Sequence, residues 1–424
     1  MFLGGAGNDV IASGAGNDLF AFNAGNGDDH IQLGGGRDAL SLGGGIRYED
    51  LALSKQGTDL KLNLGNGDTI TFDAAELLTP EGFSFLQAPM VRQPKRYPGY
   101  PASYADIMRR FGFGDAATLQ SLVLAWKELY RLVNPDVIVL HNAPVATLAS
   151  WHSLARRVTL GMGWDIPPLE TPMRRFWPRA SVSHATIAAI QAEVDLNVSS
   201  ALRALDQKSD CTLTQIFRTD QRLLCTLPEL DHYPDREAES IYVGPLFMDD
   251  VGIAVDYPCG TGPKTFVYLR DETPHYRDVI KALAAKDGRY VAVLPNLDLE
   301  LKRQLTERGW QVNAKPVNLE SIAGATDIAI TNGGHGVLSY FALKGVPCLY
   351  LPGNIDQLML ASRAAEAGLG SLLRPAMAAS LAPEIDVWRG AERSRTRLDS
   401  FKARYRKVSL SATVQLVIQH LLLQ

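Results

Sequence analysis

The sequence predicts a mixed fold of two unlike parts: a Gly-rich repeat region with very short strands, followed by a longer α/β region with parallel sheets. Three observations predict it: a change in composition near residue 86, a nine-residue period before that point, and alternating strand-like and helix-like segments after it. Of the chain's 37 Gly residues, 17 lie within residues 1–86, where 12 acidic side chains accompany only four basic ones. Such a break in composition indicates a domain boundary.

Length and composition exclude several classes of protein. The 424 residues, 46% of them hydrophobic, suffice for two or three domains with real cores, which excludes wholesale disorder. A net charge of −4 argues against nucleic-acid binding as the main task. The sequence has no apolar run long enough for a membrane span and no signal-peptide pattern at its N-terminus. Four scattered Cys without CxxC spacing indicate neither a disulfide scaffold nor a zinc site.

The Gly-rich region is a repeat with a period of nine residues. GGAGNDVIA at 4–12 is followed by SGAGNDLFA at 13–21, and two further units lie at 23–31 and 33–41. Each unit carries an Asp followed two residues later by an apolar residue that can point into a narrow core. The Asp positions are Asp9, Asp18, Asp29 and Asp38.

This repeat resembles the RTX haemolysin-type nonapeptide GGxGxDxUx, in which Gly permits tight turns and Asp supplies a hard oxygen ligand. The resemblance implies a short parallel β-roll over residues 1–86 that binds structural Ca²⁺ and folds together with it. The implied calcium ligands are Gly5, Gly7, Asp9, Gly14, Gly16, Asp18, Asp29 and Asp38. The alternative is a flexible Gly-rich linker, which would not keep Asp and an apolar residue in nine-residue register.

The segment after the repeats predicts a β-hairpin that closes the roll. Leu60, Leu62 and Leu64 alternate with polar residues, the turn GNGD follows at 65–68, and Ile70 and Phe72 resume the alternation.

The longer part predicts two α/β domains, over residues 87–245 and 246–424, because strand and helix patterns alternate and then restart near residue 260. In the first domain, a helix is predicted over 116–133 and strands over 135–140, 158–163, 211–216, 222–227 and 240–245. In the second, strands are predicted over 265–270, 290–295, 310–314, 327–332 and 347–352. The helices of the second domain are predicted over 275–286, 298–308, 319–325, 336–344, 356–367 and 408–423.

Two loops after strands of the second domain are candidate ligand sites. The loop TNGGHG at 331–336 joins a buried strand to a helix, so its Gly pair and the free helix N–H groups suit a diphosphate, although a plain tight turn also explains it. The loop GNIDQ at 353–357 carries Asp356 and Gln357, which suit sugar hydroxyls or serve simply as helix N-terminal residues.

The stretch TNGGHGVLSYFALKGVPCLYLPGNIDQLMLASRAAEAGLG at 331–370 resembles the donor-binding region of UDP-glycosyltransferases of the GT-B fold. Within that family it is most similar to bacterial natural-product glycosyltransferases. Upstream, Gln87-Ala88-Pro89, GMGWDIPP at 161–168 and LPELDHYP followed by YVGP also match the family's order. The resemblance covers about residues 85–424. It implies two Rossmann-like domains and an inverting hexosyltransferase that uses a nucleotide-diphosphate sugar and a small-molecule hydroxyl acceptor, without a catalytic metal.

The resemblance also implies a role for each matching residue. Asp356 and Gln357 would hold the donor sugar, and the segment from Lys315 to Val317 would contact the nucleobase. The diphosphate would be bound by the loop that contains Asn332, Gly333, Gly334, His335 and Gly336.

Three departures from the family bear on catalysis. The family's first strand, its base-bearing His loop and two further βα units have no counterpart, so we expect an incomplete N-terminal domain without the usual base. His141 stands where the family has the Asp that pairs with that base; it is either a substitute base or a strand-end His bonded to backbone. Asn332 and Val337 replace a His and a Ser or Thr. Trp164 and Trp177 line the acceptor pocket or are ordinary packing residues.

Two functions stay open on the sequence. The first is a glycosyltransferase with Ca²⁺-binding N-terminal repeats. The second is a non-catalytic, secreted calcium-binding module with a degenerate transferase half. Localisation divides in the same way, since nucleotide sugars are cytoplasmic whereas RTX repeats usually act outside the cell, where calcium is abundant. The sequence does not specify the sugar, the acceptor or the oligomeric state.

Overall fold

In a computed structural model, the chain divides into two compact units, Met1–Ala88 and Pro89–Gln424. The structure describes residues 2–3, 5–12, 19–32, 39–47, 50–56, 59–72, 88–89, 91, 95–176, 182–205, 211–236, 240–247, 252–373 and 392–422. Within these ranges, no helix is long and apolar enough to cross a membrane. The predicted domain boundaries at residues 86 and 245 stay predictions.

The first unit consists of short strands that form two sheets. The strands are β1 (Phe2–Leu3), β2 (Val10–Ala12), β3 (Leu19–Asn23), β4 (Asp28–Gln32), β5 (Ala39–Gly43), β6 (Ala52–Gln56), β7 (Asp59–Asn63) and β8 (Thr69–Phe72). One sheet has the order β1-β3-β5 and the other β2-β4-β8-β7-β6. All pairs among β1 to β5, and the pair β4–β8, are parallel, so successive strands of the repeat join alternate sheets. The β-roll assignment and its calcium stay predictions.

The nine-residue register places an apolar side chain inside in three of the four units, and Leu40 of the fourth is partly buried. Ile11, Phe20 and Ile31 are buried, whereas Val10, next to Ile11, is 71% exposed. The turns need Gly where they approach another turn: Gly27 has φ +101°, and a Cβ there would lie 2.5 Å from the carbonyl oxygen of Gly7. At the end of the unit, β7 and β8 pair antiparallel across residues 64–68, as the alternation predicts.

The second unit begins with a four-stranded parallel sheet in the order β12-β11-β10-β9. Its strands are β9 (Val137–Leu140), β10 (Arg156–Gly161), β11 (Gln221–Leu224) and β12 (Ser240–Tyr242). Its helices are α1 (Tyr104–Met108), α2 (Ala116–Val133), α3 (Pro144–Ala149), α4 (His184–Ala204) and α5 (Leu213–Ile216).

One prediction for this sheet is wrong. The segment 211–216, predicted as a strand, contains helix α5, because Thr212 and Gln215 form a reciprocal capping box at its start. The strand predicted over 135–140 is present as β9, the terminal strand of the sheet, where Val137 and Val139 are 39% and 45% exposed.

The second sheet is six-stranded and parallel, in the order β15-β14-β13-β16-β17-β18. Its strands are β13 (Lys264–Tyr268), β14 (Arg289–Val293), β15 (Gln311–Asn313), β16 (Ile328–Thr331), β17 (Cys348–Tyr350) and β18 (Gly370–Leu372). The helices are α6 (Tyr276–Ala284), α7 (Leu299–Glu307), α8 (Leu319–Ala323), α9 (His335–Lys344), α10 (Ile355–Glu366), α11 (Glu392–Arg404) and α12 (Leu410–Leu422). The strand order reverses between β13 and β16, which opens a crevice at their carboxyl ends.

Helix α12 packs against the first sheet of the second unit, although it follows the second sheet in the chain. It comes from the C-terminal part of the chain, yet Val417 packs against Val158 and Leu223 of the first sheet. Arg156, at the start of β10, donates hydrogen bonds to the carbonyl oxygens of His420 and Leu421 at 2.8 and 3.0 Å, which satisfies carbonyls that the end of α12 leaves free.

Candidate functional site

The candidate site lies where residues after strands of the first sheet meet helices of the second. The segment that follows β11, residues 226–232, makes these contacts and is called the connecting segment below. Thr226 contacts His335 at the start of α9, and His232 contacts Asp356 at the start of α10. The carbonyl oxygen of Asp231 accepts a hydrogen bond from Arg363 of α10 at 3.2 Å. One segment of seven residues thus contacts both helices that carry predicted donor-binding residues.

The loop between β16 and α9 is held by its own side chains. Gly333 donates to Thr331 Oγ1 at 3.1 Å, and Gly334 donates to Asn332 Oδ1 at 3.2 Å. Gly333 has φ +81°, and a Cβ there would lie 3.3 Å from both Ala361 Cβ and the carbonyl oxygen of Gln357, so a side chain would be strained and crowded.

Helix α9 begins without a side-chain cap, because its N-cap residue is Gly334. By contrast, Asn354 caps α10 by accepting from the N–H of Gln357 at 2.9 Å. The first N–H groups of α9, from His335 to Val337, have no carbonyl in the preceding turn to bond. They carry the positive end of the helix dipole and suit an anion.

The imidazole of His335 points away from such a role. It is buried, with Nε2 2.8 Å from Thr226 Oγ1 and 3.4 Å from Ser339 Oγ. Burial, with a further contribution from nearby His232, lowers the pKa of His335 to about 4, so the ring is neutral near pH 7. The backbone N–H of His335, not its ring, is therefore the group available to a diphosphate.

Asp356 and Gln357 lie in the first turn of α10. Asp356 Oδ1 is 2.7 Å from His232 Nε2, and its side chain is one-third exposed. Gln357 Oε1 accepts from the N–H of Gly353 at 2.8 Å, which folds the loop back on the helix. Both side chains therefore already have one oxygen engaged by protein.

An apolar pocket of about 500 Å³ borders the start of α9. Gly336 and Val337 of α9 and Leu319 of α8 form part of its wall; Leu246, Phe247 and Leu410 form the rest. The two residues predicted to contact a nucleobase, Lys315 and Val317, do not line this pocket. Lys315 is exposed elsewhere on the surface, and Val317 is buried. Sequence analysis missed Leu319, which lies two residues beyond the predicted segment, and gave no signal for Leu246 or Leu410.

His141 lies just after β9 and is exposed. Its Nδ1 is 2.9 Å from the carbonyl oxygen of Leu160, which is the backbone-bonded arrangement named above as one alternative. A carbonyl oxygen only accepts, so in the neutral imidazole Nδ1 carries the proton and the lone pair lies on Nε2. The backbone bond thus leaves His141 able to act as a base.

Asp165 interacts electrostatically with His141, and sequence analysis did not identify it. Its pKa is raised, because burial outweighs the hydrogen bond from the N–H of Met162 at 2.9 Å and the nearby His141 and His232, which lower it, and the charge of Asp356 adds to the effect of burial. Its carboxylate lies beside Gly161, as does His141 Nδ1: a Cβ on Gly161 would lie 2.9 Å from Asp165 Oδ2 and 3.1 Å from that nitrogen. Two carboxylates and two imidazoles, those of Asp165, Asp356, His141 and His232, therefore lie close enough to interact electrostatically.

Of the two Trp residues predicted either to line the acceptor pocket or to be ordinary packing residues, the structure describes one. Trp164 stacks on Phe176 with ring centroids 4.8 Å apart and lies 6.2 Å from the His232 ring. Trp177 lies outside the described residues.

A buried ion pair supports the connecting segment. Asp231 Oδ2 is 2.6 Å from Arg236 Nε, and both side chains are at most 1% exposed. Tyr242 Oη and the N–H of Tyr233 also donate to this carboxylate, at 2.7 and 3.0 Å. Burial raises the pKa of Asp231, but Arg236 and these donors outweigh it and hold the pKa below its ordinary value.

The first unit contains a separate candidate cation site. The N–H of Asp9 donates to Asp29 Oδ1 at 2.8 Å, and the Oδ2 atoms of both side chains are buried and have no hydrogen-bond partner among the residues that the structure describes. Burial raises the pKa of Asp29, the Asp9 N–H opposes this, and the charges of Asp9 and Asp68 raise it further.

Of the remaining predicted calcium ligands, the structure describes two and leaves four outside the described residues. Gly5 and Gly7 have φ +95° and +128°, whereas Gly14, Gly16, Asp18 and Asp38 lie outside the described residues. Among the residues that are described, no group of three or more His, Cys, Asp or Glu side chains is arranged to hold a metal ion.

Comparisons with known proteins place the fold. The sequence matches no family model and no curated protein. Among solved structures, it is similar to the glycotransferase of kitacinnamycin, with TM-score 0.56, 15% identity, and coverage of 76% of this chain and 85% of that one. The chain shares the GT-B fold of these glycosyltransferases. The spinosyn rhamnosyltransferase SpnG aligns with TM-score 0.53, 15% identity, and coverage of 78% and 86%.

The calicheamicin glycosyltransferase CalG4 aligns with TM-score 0.52, 17% identity, and coverage of 72% of this chain and 80% of that one. SpnG has also been solved in complex with thymidine diphosphate, and that structure aligns with TM-score 0.52 and 15% identity over 72% and 80% of the two chains. Parallel sheets in two Rossmann-like halves are thus common to this glycosyltransferase fold and the second unit.

Replacing Asp231 with Asn should destabilise the second unit strongly. The change leaves Arg236 buried without its counter-charge, and we expect a loss of about 3–5 kcal/mol in the free energy of unfolding, measured by urea denaturation. Because the folded pKa of Asp231 is lowered, its contribution is present above the unfolded pKa of about 3.9 and is lost as pH falls through the folded pKa. The control is Glu300→Gln, which breaks an exposed pair with Arg303 and should change stability far less. Equal effects of the two substitutions would contradict this account.

Proposed function

We propose that the second unit is a nucleotide-sugar-dependent glycosyltransferase that moves a hexose onto a small-molecule hydroxyl with inversion. One observation carries the proposal: the uncapped N-terminus of α9 borders the apolar pocket of about 500 Å³. Helix N–H groups attract phosphate oxygens, and an apolar pocket beside them suits a nucleoside. A nucleoside diphosphate combines both groups. The thymidine diphosphate complex of SpnG, which shares the fold, supports the same ligand class.

The donor sugar would lie on α10, one loop away from the diphosphate. Asp356 keeps one carboxylate oxygen beyond its bond to His232, and Gln357 keeps its amide nitrogen beyond its bond to Gly353. Sugar hydroxyls both donate and accept, so an acceptor oxygen beside a donor nitrogen suits a pair of neighbouring hydroxyls.

His141 is the proposed base. The acceptor oxygen attacks the anomeric carbon from the face opposite the diphosphate, and its proton moves to Nε2 of His141. As the new carbon–oxygen bond forms, the bond from the anomeric carbon to the phosphate oxygen breaks, and its electron pair stays on the diphosphate. The free N–H groups of α9 stabilise that charge.

A charge placed at the start of α9 should block the nucleotide. A Cβ on Gly336 meets no atom within 4 Å, so Gly336→Asp and Gly336→Asn should both fold. The two side chains have nearly the same shape and differ in charge. We expect Gly336→Asp to weaken binding of UDP or dTDP at least tenfold relative to Gly336→Asn, measured by titration calorimetry.

Melting temperature is the folding control, because an acidic residue in the first turn should stabilise free α9. Equal nucleotide affinities of the two variants, or no binding by the parent chain, would contradict the proposed diphosphate site.

Removal of the proposed base should abolish transfer and spare binding. In His141→Asn, the amide nitrogen can still donate to the Leu160 carbonyl, so the local fold should persist. We expect kcat for transfer from UDP- or dTDP-glucose to a panel of phenolic acceptors to fall by about 10²–10⁴. The calorimetric Kd of the nucleotide should stay the same. Unchanged turnover would exclude His141 as the base.

The first unit favours a second function, calcium binding by the repeats. The Oδ2 atoms of Asp9 and Asp29, which have no hydrogen-bond partner among the described residues, are hard donors of the kind that Ca²⁺ prefers, and the Asp29 carboxylate is buried near the charges of Asp9 and Asp68. Turn carbonyls in the Gly-rich loops would complete such a site. With a β-roll built on the parallel pairs β1–β3–β5 and β2–β4–β8, Ca²⁺ would neutralise the stacked Asp residues.

Calcium should therefore protect residues 1–88 from proteolysis near pH 7. The folded pKa of Asp29 is raised, so the calcium-free unit is more stable at low pH and loses that stability as pH rises through the pKa. The protection by Ca²⁺ should consequently shrink as pH falls. We expect Asp29→Asn to lose it, while Asp50→Asn, which removes an exposed partner of Arg47, keeps it. Cleavage of the parent that does not depend on Ca²⁺ would contradict this function.

A further inference from the structure

We propose that His232 is a positioning residue that fixes the carboxylate of Asp356 for the hydroxyls of the donor sugar. This inference rests on the proposed function, and it names a residue outside the segments that the sequence resemblance assigned to donor binding. Its starting observation is the 2.7 Å contact between His232 Nε2 and Asp356 Oδ1, which joins the connecting segment to α10.

The imidazole of His232 is held by packing. Its side chain is fully buried, and the Trp164 ring lies 6.2 Å away, itself stacked on Phe176. Nδ1 is also buried and has no hydrogen-bond partner among the described residues. Among the described residues, the bond to Asp356 is therefore the hydrogen bond that compensates the burial of this ring. Because packing keeps the ring from turning, the ring sets the position of the Asp356 carboxylate.

The carboxylate of Asp356 is suited to a ligand once it is fixed. One oxygen is taken by His232, while the side chain remains one-third exposed in the first turn of α10. Burial is the largest cause of the raised pKa of Asp165, and the charge of Asp356 adds to it, so Asp165 repels Asp356 whereas His232 holds one of its oxygens in place. A fixed carboxylate oxygen accepts from a sugar hydroxyl at lower entropic cost than a free one.

A purely structural role is the competing explanation. His232 also links the two sheets, as do the Thr226–His335 contact and the bond from Arg363 to the Asp231 carbonyl. If His232 acted only as a link, its loss would weaken the cleft as a whole, and nucleotide and nucleotide sugar would be affected alike. A positioning role predicts a loss confined to the sugar.

Two substitutions separate these roles. The amide nitrogen of Gln reaches the position of Nε2 and can still donate to Asp356, whereas the amide nitrogen of Asn reaches only the position of Nδ1. The full chain and its His232→Gln and His232→Asn variants are titrated with UDP, UDP-glucose, dTDP and dTDP-glucose. The quantity of interest is the ratio of the Kd of the bound nucleotide to the Kd of its glucose conjugate.

We expect His232→Asn to lower this ratio about tenfold while the Kd of the nucleotide changes less than twofold, and His232→Gln to preserve the ratio. Asp356→Asn, which leaves the buried ring in place, should lower the ratio by the same factor. The double variant His232→Asn with Asp356→Asn should lose no more than either single change. Asp356→Asn also tests the proposal should His232→Asn not fold.

Parallel losses of nucleotide and nucleotide-sugar affinity in His232→Asn would overturn the positioning role and leave the structural link. A ratio of one in the parent chain would overturn it as well, because the sugar would then make no net contact. Failure of the parent to bind any of the four compounds would instead overturn the proposed function itself.

Discussion

The cleft depends on the buried ion pair between Asp231 and Arg236. Each side chain would be costly to bury alone. Together they fix the connecting segment, which contains Asp231, and the loop after β10. Arg236 also donates to the carbonyl oxygen of Ile166 at 2.7 Å, which anchors the loop after β10. A Cβ on Gly163 would lie 2.1 Å from Asp231 Oδ1, so that loop can approach the carboxylate only because residue 163 is Gly.

This anchoring determines what the neighbouring residues can do. With Asp231 fixed, Thr226 and His232 at the two ends of the connecting segment reach His335 and Asp356. The connecting segment thus holds residues at the starts of α9 and α10, to which the groups proposed to bind the donor belong, whereas the proposed base, His141, follows β9 of the first sheet. Support of the donor-binding groups by a fixed segment favours preorganisation.

The sequence predicts local structure well and the pairing of distant residues poorly. The β16–α9 loop and its glycines follow from a buried strand, a Gly pair and a helical pattern that are contiguous in the chain. The His232–Asp356 contact joins residues 124 apart, and the pocket wall combines Leu246, Leu319 and Leu410, so neither leaves a periodic signal. The error at 211–216 has a local cause: the strand prediction took no account of the Thr212–Gln215 capping box, which starts a helix there.

The uncapped start of α9 also affects what the stability of this protein means. A helix that begins on Gly334 leaves its first N–H groups to water or to whatever anion the buffer supplies. Any anion that prefers the folded form adds RT ln(1 + [L]/Kd) to its stability. The free energy of unfolding of the same chain would then differ between sulfate, phosphate and chloride solutions. A stability measured for the second unit would therefore refer to one solvent composition, because the bound anion would be part of the native state.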